Sequence, residues 1–293
     1  MQKLVLSLIL GIAPALAGAT GTTDFSQCRQ LFANNTPPNI AVSPALKLRP
    51  LCYDAFAVMH SGRSKTPVYV AERLSRSQLL DARDEKRTDR FFADARLPRA
   101  ERAELEDYRG SGFDRGHLAP AGDQPTAQAM AQSFSLANMT PQTPTNNREA
   151  WSSIESATRK YVMRARGDVY VISGPVFGDR PSTIGPGRVW VPEYYFKLVY
   201  DATTNRAWAH WIANTNEARP SKPISYAELV KRTGIEFLPG ISPADDGNAA
   251  APEIRARASS HGKPDHKGER DLAEAFTSSV ESAARKIVNS MGR

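Results

Sequence analysis

Ser111-Gly112-Phe113-Asp114-Arg115-Gly116-His117-Leu118-Ala119-Pro120 puts a single histidine in a run of glycines and charges, and thirty residues after it come Asn146-Asn147-Arg148-Glu149-Ala150-Trp151 and then Glu155. An imidazole with a pKa of about 6.5 can take a proton from water at neutral pH. An asparagine amide supplies one hard oxygen, and Mg²⁺ is commonly held by only one or two protein oxygens together with water and substrate phosphate. A carboxylate close by can orient the waters of such an ion. His117, Asn147 and Glu155 therefore combine the means to activate water, neutralise charge on phosphoryl oxygens and assist a departing alkoxide. Those are the needs of phosphodiester hydrolysis.

Each residue also has a plainer explanation. His117 would serve as a core histidine bonded to backbone, although Gly112 and Gly116 suggest a backbone left bare for the approach of something else. Asn147 stands at the start of a predicted helix, where asparagine is among the best caps. Glu155 follows eight residues on and lies within about 80° of Asn147 on an α-helical face, yet it also stands one turn before Arg159, a natural ion-pair partner. Asp114 beside Arg115 fits a structural ion pair. Arg87, Arg115 and Arg159 are available to grip a phosphate with a planar guanidinium, and physics alone does not choose among them. A serine hydrolase built on Ser111 is disfavoured, because Gly110-Ser111-Gly112 lacks the spacing of a nucleophile elbow.

Strands and helices must bring these residues together. Apolar alternation over 54–60 and 67–71 around the turn at 61–64 predicts a hairpin. Residues 73–107 are dense in both charge signs and broken at Leu97-Pro98, as in a solvated, partly looped insertion. Helical spacing predicts a helix over 126–137, and Pro141 and Pro144 force an extended connection before a second helix over 147–166. Strands follow over 168–173, 188–191, 194–201 and 206–213, with a short helix over 225–233. Hairpin-linked strands with separate helices favour an α+β architecture over a doubly wound sheet.

The whole chain has 293 residues, a formal charge of +7 and two cysteines. Residues 1–17 read as an export signal: Lys3, a short apolar run, and the small-x-small site Ala15-Leu16-Ala17. The mature chain then has no membrane span, and a periplasmic or secreted location follows. An arm over 18–53 carries Cys28 and Cys52, which an oxidising compartment allows to pair. A body over 54–240 holds the chemistry, and 241–293 reads as a polar linker with a terminal helix. That tail balances eight Lys/Arg against eight Asp/Glu, so the positive excess belongs to the body, where it would attract a polyanion.

The DRGH segment over 110–120, with Asn138-Met139-Thr140-Pro141-Gln142 and Asn147-Arg148-Glu149-Ala150-Trp151, closely resembles the DNA/RNA non-specific endonucleases. The resemblance covers roughly residues 54–240. It implies a ββα-metal (His-Me finger) core in a mixed, mainly antiparallel sheet with flanking helices. By this resemblance His117 is the general base, Asn147 the direct Mg²⁺ ligand, with Mn²⁺ able to substitute, and Glu155 orders metal-bound water. Arg87 matches the arginine that holds the phosphate, Asn138 and Arg115 match supporting polar residues, and Arg159 matches a basic residue nearby. No role is assigned to Arg148-Glu149. The implied activity is cleavage of DNA and RNA to 5′-phosphate ends; a catalytically inactive nucleic-acid-binding protein of the same fold is the alternative. The resemblance also leaves a homodimer open.

Overall fold

The computed structural model describes residues 25–40 and 44–244; the expected signal over 1–17 and the tail helix lie outside the described residues. The chain opens with three strands, β1 (Leu48–Cys52), β2 (Phe56–Ser61) and β3 (Thr66–Leu74). It then lays down α1 (Arg76–Asp81), α2 (Leu105–Tyr108), β4 (Asp114–His117), α3 (Ala127–Ser133), β5 (Met139–Gln142), a π-helical stretch (Asn146–Trp151) and α4 (Ser152–Val162). After these come β6 (Val169–Val176), a small ribbon of β7 (Thr183–Ile184) and β8 (Val189–Trp190), and then β9 (Tyr194–Asp201), β10 (Arg206–Ala213) and β11 (Ile224–Ser225). Helix α5 (Tyr226–Thr233) follows the last strand.

The main sheet has seven strands in the order β1-β2-β3-β6-β9-β10-β11. Every ladder in it is antiparallel, so the expected mixed sheet is antiparallel throughout its described strand pairs.

Both faces of the central strands are buried, which explains why β9 reads as Tyr-Tyr-Phe-Lys-Leu-Val-Tyr rather than as a polar alternation. Phe196, Leu198 and Tyr200 point to one side, where Leu229, Phe237 and the arm residues Phe25, Leu31 and Phe32 cover them. Tyr195 points to the other side and meets Leu118, Trp151 and Ile154 from the β4 to α4 segment. Val199, Val171 and Trp208 extend this second face under Val162 and Leu79. The sheet is thus a platform with the DRGH segment and α4 on one side.

The arm is not the irregular appendage that its turn-rich composition suggests. Residues 48–52 form edge strand β1 along β2, and Phe25 and Phe32 are almost fully buried in the common core. A boundary at residue 53 therefore cuts through packed structure. Proline and turn residues mask this, because local composition carries no information about a partner strand supplied by β2.

Cys28 and Cys52 are joined as expected, across a separation of 24 residues. Closing a loop of that size stabilises by about 3 kcal/mol in the chain-entropy model. The double variant Cys28→Ala/Cys52→Ala is expected to melt about 6–12 °C lower by calorimetry. An unchanged melting temperature would mean that the arm is held by its phenylalanines alone.

Two helices are shorter than their periodicity predicts. The helix expected over 126–137 stops at Ser133, because Ser135 and Asn138 turn the chain into β5 with side-chain hydrogen bonds to backbone. The helix expected over 147–166 begins as a π-helical stretch and ends at Val162. Pro141 sits inside β5, tolerated because the two-stranded β4–β5 sheet leaves each strand an open edge.

Candidate active site

β4 and β5 pair antiparallel with Asp114 opposite Gln142 and His117 opposite Met139, and α4 follows, giving a β-hairpin and helix in direct succession. Three hydrogen-bonding residues tie the helix to β4. Trp151 Nε1 donates to the His117 carbonyl at 3.1 Å. Asn147 Nδ2 donates to Asp114 Oδ2 at 2.9 Å. Arg148 grips both Asp114 oxygens, through Nε at 2.9 Å and Nη2 at 2.8 Å. Histidine and asparagine, thirty residues apart, are brought to one ββα unit by these bonds.

The glycines of the motif act differently from their expected role. Gly110 and Gly112 have φ of 66° and 80°, the left-handed backbone that turns the chain into β4. At Gly116 an added Cβ would fall 2.1 Å from Gln142 Oε1 on the paired strand. The bareness at Gly116 serves cross-strand packing, not approach of a ligand. Ser111 donates its hydroxyl to the Tyr108 carbonyl at 2.9 Å and accepts from Phe113 N, which makes it a turn residue.

Asn147 is not a helix cap, and Asp114 does not pair with Arg115; the two side chains meet each other instead. Burial alone would raise the Asp114 carboxyl, but hydrogen bonds from Arg148 and Asn147 and the charges of Arg148 and Arg115 hold it below the usual carboxylate range. A carboxylate only accepts, so it must face the NH₂ end of Asn147. The amide oxygen is then turned away, and no protein donor meets it among the described residues. Asn146 takes the structural duty, donating Nδ2 to the Ala213 carbonyl at 2.7 Å.

That oxygen suits a hard cation. Among the described residues no group of three or more His, Cys, Asp and Glu side chains is placed to hold a metal. A Mg²⁺ ion here would be held by Asn147 Oδ1, waters and substrate phosphate, the coordination this ion accepts readily. The π-helical stretch adds a residue to the turn carrying Asn147, so the α-helical angle between Asn147 and Glu155 does not apply.

On the same strand, His117 is 9% exposed and its ring stands edge-on to Phe134 at 5.0 Å, with Phe91 at 5.8 Å. Two arginines share these rings: Arg87 lies 5.1 Å from the Phe134 centroid and Arg115 lies 4.1 Å from that of Phe91. Burial, and then the charges of Arg87 and Arg115, push the imidazole pKa down to about 3. His117 is therefore neutral at physiological pH, and burial resists its protonation in the free protein. Its Nε2 has no hydrogen-bond partner. Arg87 pairs with Asp89 at 2.6 Å, but both side chains are more than half exposed, so the pair is weak and easily exchanged for a phosphate.

Asn138 is fully buried, and its amide is committed to backbone. Oδ1 accepts from Ala119 N, while Nδ2 donates to the carbonyls of Ala119 and Ser133, each at 2.9 Å. It is a positioning residue that locks the chain just after His117, and it does not reach out of the core. Arg159 binds Asp123 at 2.9 Å, not Glu155. Glu155 is partly buried and has no hydrogen-bond partner among the described residues. Its carboxyl is pushed up to about 7, by burial first, against the opposing charges of Lys197 and Arg159.

Several contributors leave little trace in the sequence. Phe91 and Phe134 form the aromatic bed of His117. Lys197 is 1% exposed, donates to Ser173 Oγ at 2.7 Å and stands 5.0 Å over the Trp151 ring. Ser173, Lys197 and His210 are directly paired across β6, β9 and β10, making a polar row under Trp151. Glu72 is buried beside Gln124, and burial together with the Asp123 charge holds its carboxyl well above the ordinary range. One signal is present: a lysine in the middle of an otherwise apolar strand.

The raised Glu155 pKa implies a stability cost with a definite sign. The folded value lies near 7 against 4.5 unfolded, so the folded state binds more protons between these values and loses stability as pH rises through that window. Glu155→Gln is expected to raise the melting temperature at pH 8 by about 6–12 °C, from about 3 kcal/mol of relieved burial. At pH 4 the gain should vanish. Calorimetry at both values checks it, and an equal gain at pH 4 would refute the burial account.

The profile of the DNA/RNA non-specific endonucleases matches residues 35–244. The chain belongs to the DNA/RNA non-specific endonuclease family. Human mitochondrial endonuclease G is 32% identical over 222 residues, covering 70% of this chain and 72% of that protein. A nuclease of Nostoc sp. is 30% identical over 263 residues, covering 82% of this chain and 92% of its own length. Human mitochondrial nuclease EXOG is 31% identical over 67% of this chain, and the aligned part spans only 58% of its own length. The crystal structure of the EndoG/EndoGI complex matches 64% of this chain and 84% of its own with a TM-score of 0.58 at 24% identity, a likeness of fold. As a family member the chain is a nuclease. The family match starts before residue 54, in keeping with an arm that belongs to the core.

Proposed function

We propose that this protein is an exported, Mg²⁺-dependent endonuclease that hydrolyses DNA and RNA with little sequence preference and leaves 5′-phosphate ends. The observation that carries this reading is the ββα unit itself. A neutral imidazole on β4 and an amide oxygen on the following helix are fixed to one another through Trp151 and Asp114. Export is supported by the signal-like residues 1–17 and by the Cys28–Cys52 bond, since disulfides persist in oxidising compartments. The mature enzyme would then act in the periplasm or outside the cell.

In this reading His117 takes the proton of a water as the water oxygen bonds to phosphorus and the bond from phosphorus to the 3′ oxygen breaks. The phosphate stays on the 5′ side. Asn147 would hold Mg²⁺, which when bound would supply neutralisation of the charge that builds during the reaction. Glu155 holds waters near that position, and the charges of Lys197 and Arg159 oppose the burial that raises its carboxyl. Arg87 and Arg115 receive the phosphate. Their charges depress His117 in the free protein, so a phosphate that offsets them makes the imidazole a stronger base when substrate arrives. Phosphate contacts carry no base information, which accounts for indiscriminate cutting.

The test is purified mature protein treated with chelator and then supplied with single metals, against linear duplex, circular single strand and RNA. Cleavage restored by Mg²⁺ or Mn²⁺ on all of them is the expected result. Binding to these substrates without any metal-dependent cleavage would select the inactive binding protein instead. The homodimer that the resemblance leaves open is read from sedimentation of the mature chain.

A further inference from the structure

Beyond Glu155 and Arg159, one face of α4 and the turn after α1 carry positive charge that nothing in the described fold answers. An open cleft of about 440 Å³ is lined by Arg83, Gly122, Arg159, Lys160 and Arg164, with no carboxylate among its lining residues. A second cleft of about 560 Å³ shares Arg164 and adds Arg166. Asp201 lines this second cleft, but its oxygens already accept from Tyr161 Oη and from the backbone of Thr203 and Thr204. Arg83, Lys160, Arg164 and Arg166 are exposed, and among the described residues none of them has an ion-pair partner. Arg49, Arg96, Arg102 and Arg148, by contrast, each pair with a carboxylate.

The dipole of α4 favours cations at its C-terminal end and accounts for Lys160 and Arg164 in part. It does not account for Arg83, which reaches the same cleft from the other element. Unanswered like charges repel one another, and a polyanion removes that repulsion. We propose that Arg83, Lys160, Arg164 and Arg166 form a track that grips successive phosphates of the substrate strand on one side of the scissile bond. This rests on the nuclease reading above and adds where the flanking strand runs. From Glu155 to its end at Val162 the helix α4 advances about 10 Å. At about 3.4 Å per phosphate of one strand, that reaches roughly three phosphates from the cut.

The experiment compares the full mature chain with Arg83→Gln/Lys160→Gln/Arg164→Gln, after calorimetry has confirmed equal melting. Affinity for a fluorescent duplex is read by anisotropy in chelator over a range of salt, and turnover is read in Mg²⁺ on duplex and on bis(4-nitrophenyl) phosphate, which reaches only the scissile position. The track requires KM and Kd on duplex to rise by about 10–100-fold and the slope of log Kd against log salt to fall by about 2–3. It also requires kcat and hydrolysis of the small diester to stay unchanged. Unchanged KM and salt slope overturn the proposal, as does equal loss on the duplex and the small diester. If the parent cleaves neither substrate in any metal, the nuclease reading is what fails, and the anisotropy slope still decides the track.

Discussion

His117→Ala is expected to lower kcat/KM on duplex DNA by about 10²–10⁴-fold, the usual loss on removing a general base. The ring is packed against Phe134 and Phe91, and two arginines sit over those same rings. An alanine leaves a void beside both rings, so part of the effect would come from loosening of the bed on which the arginines rest. His117→Gln fills the space without supplying a base and should lose as much. If it retains full activity while folded, the general-base role is wrong.

The pH profiles carry the same claim with a sign. In the free protein the imidazole is held down to about 3 by burial and by Arg87 and Arg115, so the acid limb of kcat/KM lies well below the histidine range. If a phosphate offsets the two charges in the complex, the acid limb of kcat is expected at higher pH. Coinciding limbs would show that phosphate does not meet these arginines. Arg115→Gln should raise the kcat/KM limb, since it removes one depressing charge.

Asn147→Ala is the second large effect: the Mg²⁺ concentration for half activity rises by more than the roughly 10–100-fold that loss of an outer partner costs. Asp114→Ala supplies that lesser comparison. It leaves the amide of Asn147 in place but lets it rotate, because Asp114 is what aims the NH₂ end and thereby the oxygen. Arg148→Ala separates the two, since it removes the double grip on Asp114 without touching Asn147. The expected order of severity is Asn147→Ala, then Asp114→Ala, then Arg148→Ala, measured by metal titration of activity. Equal Mg²⁺ dependence in Asn147→Ala and the parent would remove Asn147 as the ligand.

His117, Asn147 and Glu155 stand out in the amino-acid sequence because their chemistry is local to each side chain and their motifs are long and ordered. The strands 194–201 and 206–213 are equally legible there, since a strand buried on both faces shows itself as an apolar run. Gly116 suggests an open approach in sequence and proves to be a packing residue for a physical reason: what a glycine makes room for is decided by the opposite strand, here Gln142. Asn146 and Asn147 are adjacent and identical in type, so the residues alone do not divide them. Contact with Ala213 on β10 assigns one to structure, and contact with Asp114 on β4 turns the other outward.

The amino acids by themselves determined which groups are available: one imidazole, one amide oxygen and a carboxylate within a nuclease family pattern, and two cysteines able to bond. Only the tertiary structure decided what state those groups are in. The depressed imidazole, the raised Glu155, the buried Lys197 beneath Trp151 and the arm folded into the core each arise from neighbours distant in the chain. Burial and charge act through space, and a linear pattern records only neighbours along the backbone.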